Sequence, residues 1–165
     1  GQLDAIAVTI GPGSYTGLRV GLSAAKGFCF ALGIPLISIP TLEMMAFATK
    51  DEEADLYCPL IDARRMEVFT AVYDAELNTV VKPCAMILDG KNFDELLREK
   101  KMLFTGNGSK KLKDLLSHEH AFFSNRSATA ENMTKLAYKS YKEKHFADLA
   151  YIEPLYLKEF YHAAR

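Results

Sequence analysis

The sequence predicts an α/β fold in which strands and helices mostly alternate, with an antiparallel meander in the middle of the chain. A β-rich run over residues 3–10 stops at Gly11-Pro12-Gly13, and a segment with helical spacing of apolar residues follows it. Residues 67–73 alternate cleanly between the two faces of a strand. A strand, a helix and then alternating strands together predict this fold class.

Length and composition limit the class of protein. The chain has 165 residues, of which 49% are hydrophobic and 25% charged, which suits one domain or two small lobes. Its net charge of −1 creates no overall field that attracts nucleic acid or an anionic membrane, so an RNA role requires a local patch or a partner. The acidic stretch 51–55 predicts a boundary between two lobes, residues 1–54 and residues 55–165.

Cysteine usage and hydropathy predict a cytoplasmic protein. Cys29, Cys58 and Cys84 are odd in number and widely spaced, as expected of reduced thiols. The longest apolar stretch, residues 17–33, contains two basic residues and is therefore not expected to cross a membrane. The sequence opens without the charged and apolar segments of a signal peptide, so secretion is not expected.

The first elements follow from spacing and punctuation. Residues 16–32 are predicted to form a helix, because apolar residues recur there at +4, +7, +11 and +14. Gly33 is the expected stop of that helix. A strand over residues 36–39 and a helix over residues 41–50, with Thr41 as its N-cap, complete the first lobe.

The second half of the chain is predicted to contain five strands and three helices. The predicted strands are 57–61, 67–73, 80–88, 102–105 and a short one at Phe122-Phe123, and Pro83 makes the third an edge strand or a bulge. The helices are predicted to begin at caps formed by Asn92, Ser109 and Thr129, and the last should extend to about residue 145.

The loop over residues 11–17 has two interpretations. A glycine-rich loop before a helix presents unpaired N–H groups, which is the arrangement of a phosphate site. The specific fingerprints are absent, since Thr16-Gly17-Leu18 stands where a Walker loop needs Gly-Lys-Ser/Thr. The alternative is a tight turn in which Ser14 and Thr16 cap the helix. We predict this turn, with no bound cofactor.

Small residues form a second stripe along the first helix. Gly17, Gly21 and Ala24 lie beside the apolar stripe, although a glycine inside a helix costs about 1 kcal/mol relative to alanine. Small residues let another helix approach closely, whereas packing on the protein's own sheet requires only the apolar stripe. Two stripes therefore favour two neighbours. The predicted partner-facing residues are Gly17, Leu18, Gly21, Leu22, Ala24, Ala25 and Phe28.

The sequence predicts neither a metal centre nor a catalytic group. His118-Glu119-His120 lacks both the H-E-x-x-H spacing and a nearby cysteine pair, so its position at a helix end is the preferred interpretation. No Gly-x-Ser-x-Gly elbow is present, so a serine hydrolase is poorly supported. The four histidines are His118, His120, His145 and His162.

Two charged groups have structural interpretations at this point. Asp62 with Arg64-Arg65 and Glu67 is either a polar turn or a binding cluster, and we favour the turn. Three lysines follow the loop Gly106-Asn107-Gly108 and are interpreted as a solvated helix face. They are Lys110, Lys111 and Lys113.

The eleven residues Gly11-Pro12-Gly13-Ser14-Tyr15-Thr16-Gly17-Leu18-Arg19-Val20-Gly21 resemble one family in particular, TsaB (also called YeaZ). This family is the dimerization subunit of the bacterial complex that makes threonylcarbamoyladenosine beside the tRNA anticodon. Further matches, spread over nearly the whole chain, are Ala24-Ala25-Lys26-Gly27, Ile39-Pro40-Thr41-Leu42, Ile61-Asp62-Ala63-Arg64-Arg65, Glu67-Val68-Phe69, Gly106-Asn107-Gly108 and Pro154-Leu155-Tyr156-Leu157.

The resemblance implies a two-lobed actin-like ATPase (RNase H-like) fold in a subunit that is not itself an enzyme. The implied partners are a TsaD-like catalytic subunit, which this chain would activate, and a TsaE-like ATPase. The resemblance also implies a homodimer when the chain is alone, and contact with tRNA only through the complex. The sibling TsaD carries its metal on a His-x-x-x-His pair, and no two histidines of this sequence have that spacing.

The resemblance further implies that the first lobe is incomplete. Family members begin with a β-hairpin and a helix before the strand that ends at Gly11, so this chain is expected to be truncated at its amino-terminal side. Two alternative functions stay open. One is an actin-like ATPase or phosphotransferase lobe that uses residues 11–17, and the other is a peptidase of the glycoprotease-labelled superfamily.

Overall fold

The computed structural model describes residues 3–158, which form two β-sheets with helices packed against them. The strands are β1 (Ile6–Gly11), β2 (Leu36–Pro40), β3 (Leu56–Asp62), β4 (Glu67–Asp74), β5 (Thr79–Ile87), β6 (Met102–Thr105) and β7 (Ala121–Phe123). The helices are α1 (Tyr15–Leu32), α2 (Thr41–Ala48), α3 (Asp94–Leu97), α4 (Ser109–Lys113) and α5 (Met133–Lys142), and a 3₁₀ turn at Ala130–Asn132 precedes α5.

The first sheet pairs β1 with β2 in parallel, and α1 makes the crossover between them. The predicted caps at Ser14 and Gly33 are confirmed, whereas Thr16, also predicted as a cap, lies inside the helix, which begins at Tyr15. At its start the Ser14 hydroxyl oxygen accepts a hydrogen bond from the Gly17 N–H at 3.2 Å. At its end Gly33 adopts a left-handed conformation (φ 64°), and its N–H donates to the carbonyl oxygen of Cys29.

The second sheet has the strand order β5-β4-β3-β6-β7. The predicted antiparallel meander is confirmed, since β3, β4 and β5 pair antiparallel in sequence. The strands β6 and β7 join in parallel on the other side of β3. Strand β5, which carries Pro83, lies at an edge of the sheet, where a missing N–H donor is tolerated.

The two sheets have separate cores, and the chain returns to the first sheet near its end. Ile37 and Ile39 of β2 pack against apolar side chains of α5, while residues 147–152 pack against α1 and β2. Leu42 of α2 packs on the second sheet instead, beside Tyr57. The lobe boundary between residues 54 and 55 stays a prediction, and it coincides with the passage from the first sheet to the second.

Three further predicted helix caps, besides Thr16, are wrong. Pro40 occupies the N-cap position of α2, and Thr41 is the first helical residue, with a buried hydroxyl that has no hydrogen-bond partner in the described part of the chain. Asn92 does not cap α3, because its side chain accepts from the Asp89 N–H at 2.9 Å and donates to the Ile87 carbonyl at 2.8 Å. Ser109 is the first residue of α4 rather than its cap, and its hydroxyl donates to the Gly106 carbonyl at 2.6 Å.

The last helix, α5, begins later and ends earlier than its pattern suggests. The Thr129 cap is confirmed, but it closes the 3₁₀ turn through a reciprocal contact with Asn132. Helix α5 ends at Lys142 rather than near residue 145, because Lys144 adopts a left-handed conformation (φ 57°) that stops the helix.

Candidate functional site

One face of α1 packs on the protein's own sheet. Leu18, Leu22, Ala25 and Cys29 are between 0% and 9% exposed, and the last three share a core cluster with Leu36 of β2. This is the apolar stripe of the helix, and burying it supplies most of the stabilisation that holds α1 in place.

The outward face of α1 carries small residues that are exposed to solvent. Gly17, Gly21 and Ala24 are exposed. A Cβ atom added to Gly21 would meet only the Val8 side chain, at an ordinary 4.0 Å, and one added to Gly27 would meet nothing within 4 Å. Neither glycine is therefore required by packing within the described residues, although each costs the helix about 1 kcal/mol relative to alanine.

Large apolar side chains lie on the same outward face. Val20, Phe28 and Leu32 are 64%, 61% and 56% exposed, respectively. At 100° per residue these three and the small residues fall within an arc of about 140° on the helix surface. Exposed apolar side chains next to accessible backbone are typical of a surface that another helix covers.

The seven predicted partner-facing residues fall on two different faces. Gly17, Gly21, Ala24 and Phe28 are exposed on the outward face. Leu18, Leu22 and Ala25 are turned inward, because a three- or four-residue spacing of apolar side chains places them on the protein's own sheet. The partner role stays a prediction, and it now concerns the four exposed residues together with Val20, Gly27 and Leu32. The sequence signal for that part of the face is Gly27, because a glycine inside a helix lowers the stability of the helix relative to alanine.

The loop before α1 is a closed turn. Its Ser14 carbonyl accepts the Leu18 N–H at 2.8 Å, in addition to the side-chain cap described above. Gly11 has a φ of 122°, and a Cβ atom there would lie 2.6 Å from the Leu155 carbonyl oxygen. The Leu155 N–H donates to the Ile10 carbonyl at 2.7 Å, so the later segment passes directly over the loop. Only glycine permits this close approach.

A cleft of about 500 Å³ separates this loop from the second sheet. Ser14 and Tyr15 line one wall, and the turn after β3, with Asp62 and Arg64, lines the other together with Asn107. The Asn107 side-chain oxygen accepts the Asp62 N–H at 2.9 Å and so fixes the turn. The sequence interpretation of a polar turn is consistent with this contact.

Asp62 is the most strongly held charge at this cleft. Its carboxylate accepts from the Lys111 ammonium at 2.6 Å and from the Arg64 N–H at 2.7 Å. These contacts, Lys111 first, lower the pKa of the Asp62 carboxyl below its ordinary value. One donor lies in α4 and the other in the turn after β3, and together they orient the Asp62 carboxylate toward these two elements.

The histidine pair has local partners. The His118 ring nitrogen Nδ1 accepts the His120 N–H at 3.1 Å, and the His120 ring nitrogen Nδ1 lies 2.8 Å from the Leu97 carbonyl oxygen. Within residues 3–158 no group of three His, Cys, Asp or Glu side chains is arranged to hold a metal ion. His162 lies outside the described residues. No helix in the same range combines the length and the hydropathy needed to cross a membrane.

The fold matches solved structures. The chain superposes on YeaZ from Pseudomonas aeruginosa with a TM-score of 0.75 and 22% identity, covering 94% of this chain and 74% of that one. A second P. aeruginosa structure, described as similar to peptidase YeaZ, gives a TM-score of 0.77 at 23% identity. The chain is therefore an α/β protein with the mixed five-stranded sheet of the YeaZ structures.

Sequence comparison identifies the family. Residues 1–163 match the family model of TsaD, tRNA N6-adenosine threonylcarbamoyltransferase. The chain is 32% identical to the TsaB protein of Bacillus subtilis, with 95% of this chain and 70% of that protein aligned. It is 36% identical to Escherichia coli TsaB over 80 residues, which are 48% of this chain and 35% of that protein. The chain belongs to the TsaB/YeaZ family of the TsaD (glycoprotease) superfamily, and it is a homologue of proteins of tRNA threonylcarbamoyladenosine biosynthesis.

Proposed function

We propose that this chain is a non-catalytic scaffold subunit of the complex that attaches a threonylcarbamoyl group to the adenosine next to the tRNA anticodon. In this role it binds a TsaD-like catalytic subunit and holds that subunit in its active form. Family membership supports the pathway, and the outward face of α1 supports the scaffold role. The proposal includes a TsaE-like ATPase as a further partner, a homodimer when the chain is alone, and a cytoplasmic location.

The observation that carries the proposal is the exposed glycine-bearing face of α1. Gly21 and Gly27 destabilise the isolated helix and contact nothing in the described chain that requires a glycine. Beside them, the side chains of Phe28 and Val20 are exposed to solvent. A helix from another subunit would bury these two side chains and use the close approach that the glycines permit.

Mixing experiments test the proposal directly. The purified chain is combined with the TsaD-like subunit of the same organism, and complex formation is followed by size-exclusion chromatography and isothermal titration calorimetry. We expect a one-to-one heterodimer and a faster threonylcarbamoylation of tRNA by the catalytic subunit. If the two chains elute separately at concentrations of tens of micromolar, the scaffold role is wrong.

Threonylcarbamoyl transfer by the chain alone would contradict its assignment as a non-catalytic subunit. The same assay therefore includes this chain without its partner. Hydrolysis of a peptide substrate by the chain alone would instead support the peptidase alternative.

A further inference from the structure

Basic side chains from distant parts of the sequence lie on the turn that carries Arg64 in the cleft wall and on the helix packed against that turn. Arg64 and Arg65 occupy the turn between β3 and β4, and α4 packs against this turn through Lys111, whose ammonium reaches both Asp62 and the Glu67 carbonyl at 3.1 Å. Lys110, next to Lys111 in α4, is exposed to solvent. The sequence gives no sign of this grouping, because the turn and α4 are more than 40 residues apart.

The two carboxylates of the turn are already paired. Asp62 pairs with Lys111, and Glu67 pairs with Lys158. The pKa of the Arg19 guanidinium is raised first by its hydrogen bond to Tyr156 and, to a smaller extent, by the nearby carboxylate of Glu153. Within residues 3–158, Arg64, Arg65 and Lys110 have no carboxylate oxygen within 4.0 Å. A chain whose overall charge is −1 therefore carries a local excess of positive charge here.

The two arginines are not explained by the turn that they form. Arg64 and Arg65 are consecutive and both left-handed, with φ values of 70° and 47°. Left-handed backbone favours glycine and asparagine, because those residues adopt a positive φ at lower cost. Arginine at both positions therefore lowers stability, and the turn itself does not account for the two charges.

Aromatic rings lie across the cleft from these arginines. Tyr15, which lines the cleft with Arg64, has its ring centre 5.3 Å from that of Tyr156. The Arg19 guanidinium lies 4.0 Å over the Tyr15 ring, and its Nε donates to the Tyr156 hydroxyl at 3.0 Å. Both rings are 37% exposed. Aromatic rings and stacked guanidinium groups next to cations provide a platform on which unpaired bases stack.

We propose that this basic–aromatic face contacts RNA, with its cations on the phosphate backbone and its rings against an unpaired base. The face consists of Tyr15, Arg19, Arg64, Arg65, Lys110 and Tyr156. The inference rests on the proposed function, since the RNA is the tRNA on which the complex acts and the chain contributes one part of the contact surface. An acidic segment of a partner protein would satisfy the cations but would not stack on the exposed part of the rings.

The test uses a double substitution, Arg64→Asn with Arg65→Gly, which removes two charges and gives the turn its preferred residues. We expect the melting temperature of the chain to rise and its co-elution with the catalytic subunit to be unchanged. The affinity of the complex for unmodified transcribed tRNA should fall about tenfold. A plot of the logarithm of the association constant against the logarithm of the salt concentration should become less steep by about 1.4, the value for two phosphate contacts on single-stranded RNA. Filter binding at several salt concentrations measures both.

A matched control removes two charges from the opposite end of the same sheet. Arg98→Ala with Lys100→Ala changes the net charge by the same amount, and both residues are exposed before β6. This variant should bind tRNA like the unsubstituted chain. If both double variants weaken binding equally, only the net charge matters and the proposed face is wrong.

The remaining outcomes separate the two proposals. An intact complex of the Arg64→Asn, Arg65→Gly variant with unchanged tRNA affinity overturns the RNA face. Loss of subunit binding by that folded variant assigns the face to a partner protein and also overturns it. If even the unsubstituted chain fails to bind the catalytic subunit, the scaffold role fails. Titration of tRNA into the chain alone, with the same variants and salt series, then decides the RNA contact by itself.

Discussion

The Arg126 guanidinium, which follows β7, donates from Nη1 to the carbonyl oxygen of Ala48 at the end of α2, at 3.0 Å. These residues belong to the two segments by which the chain passes between its sheets. Arg126 also pairs with Asp51 and lies 3.5 Å from a carboxylate oxygen of Glu52. The Ser124 hydroxyl donates to the same Glu52 carboxylate at 2.7 Å. The side chains of Arg126 and Ser124 therefore link the two segments by which the chain passes between its sheets.

Replacing Arg126 by methionine should loosen both passages without unfolding the sheets. The substitution removes the hydrogen bond to Ala48 and the contacts with Asp51 and Glu52. We expect faster amide hydrogen exchange in residues 49–53 and 124–127, measured by mass spectrometry, with β3 and β4 unchanged. Arg98→Met, at an exposed arginine, is the control. Equal exchange in all three proteins would mean that the Arg126 contacts do not restrain these segments.

Gly21→Leu should weaken assembly while leaving the fold intact. The new side chain would project from the outward face of α1 and hold a partner helix away, at a cost of about 1–3 kcal/mol, or roughly ten- to a hundredfold in affinity. Space exists for its Cβ, since Val8 is 4.0 Å away. Analytical ultracentrifugation measures the dimer, and circular dichroism checks folding. Ser23→Leu, on the flank of the same helix, should have a smaller effect. An unchanged dimer constant in the folded Gly21→Leu variant would place the interface elsewhere.

Gly27→Ala should separate stability from assembly. Apart from its chain neighbours and the backbone of its own helix, no atom of residues 3–158 lies within 4 Å of the added Cβ, so the free energy of unfolding of the isolated chain should rise by about 1 kcal/mol through helix propensity. Binding to the catalytic subunit should not improve with it. Gly33→Ala should have the opposite effect. Gly33 has a φ of 64°, and an alanine in this left-handed conformation should lower the free energy of unfolding by about 1–2 kcal/mol. Urea titrations compare the three proteins, and a destabilised Gly27→Ala variant would show that this glycine is packed.

Asp62→Asn should change the response of the fold to acid. The pKa of Asp62 is lowered in the folded chain, chiefly by the Lys111 ammonium, so its ionised form stabilises the fold above its ordinary pKa of 3.8. This contribution is lost as the pH falls through the lowered pKa. The variant should therefore lose less unfolding free energy than the original chain below about pH 4. Asp114→Asn, at an exposed carboxylate, is the control. Parallel pH curves for the original chain and Asp62→Asn would contradict the expectation.

Cys58 should stay unreactive in the folded protein. It is fully buried, and burial raises the pKa of its thiol to about 12, so almost no thiolate forms near neutral pH. A maleimide at about pH 8 should label the half-buried Cys84 first and Cys58 only after denaturant is added. Mass spectrometry of the labelled peptides measures the order. Labelling of Cys58 at the rate of Cys84 in native buffer would mean that β3 opens readily.

The spacing of apolar and turn-forming residues within individual segments predicted most of the fold. The helix α1, its caps at Ser14 and Gly33, and the meander of β3 to β5 all follow from contacts between residues that are close in sequence. The wrong caps at Asn92 and Ser109 arose where a side chain prefers a nearby loop group to the helix N–H. Such competition depends on the loop path, which spacing does not describe.

The site was less predictable than the fold because it is assembled from distant segments. The sequence marked the small residues of α1 as unusual, but it did not separate Leu18 and Leu22 from the exposed face, since both faces contain residues suited to a helix interface. The approach of Arg64 to Tyr15, and of Lys111 to Asp62, depends on how the two sheets are placed. No local pattern encodes that placement.

The return of α5 to the first sheet has a consequence for synthesis of the protein. Strand β2 leaves the ribosome early, yet Ile37 and Ile39 are covered by Met133 and Leu136, which are translated about a hundred residues later. At about 5–20 residues per second, the apolar strand waits several seconds for its cover. The five-stranded sheet, with partners close in sequence, can form in the interval. During this interval one side of β2 lacks its final cover, and transiently exposed apolar strands of this kind favour aggregation.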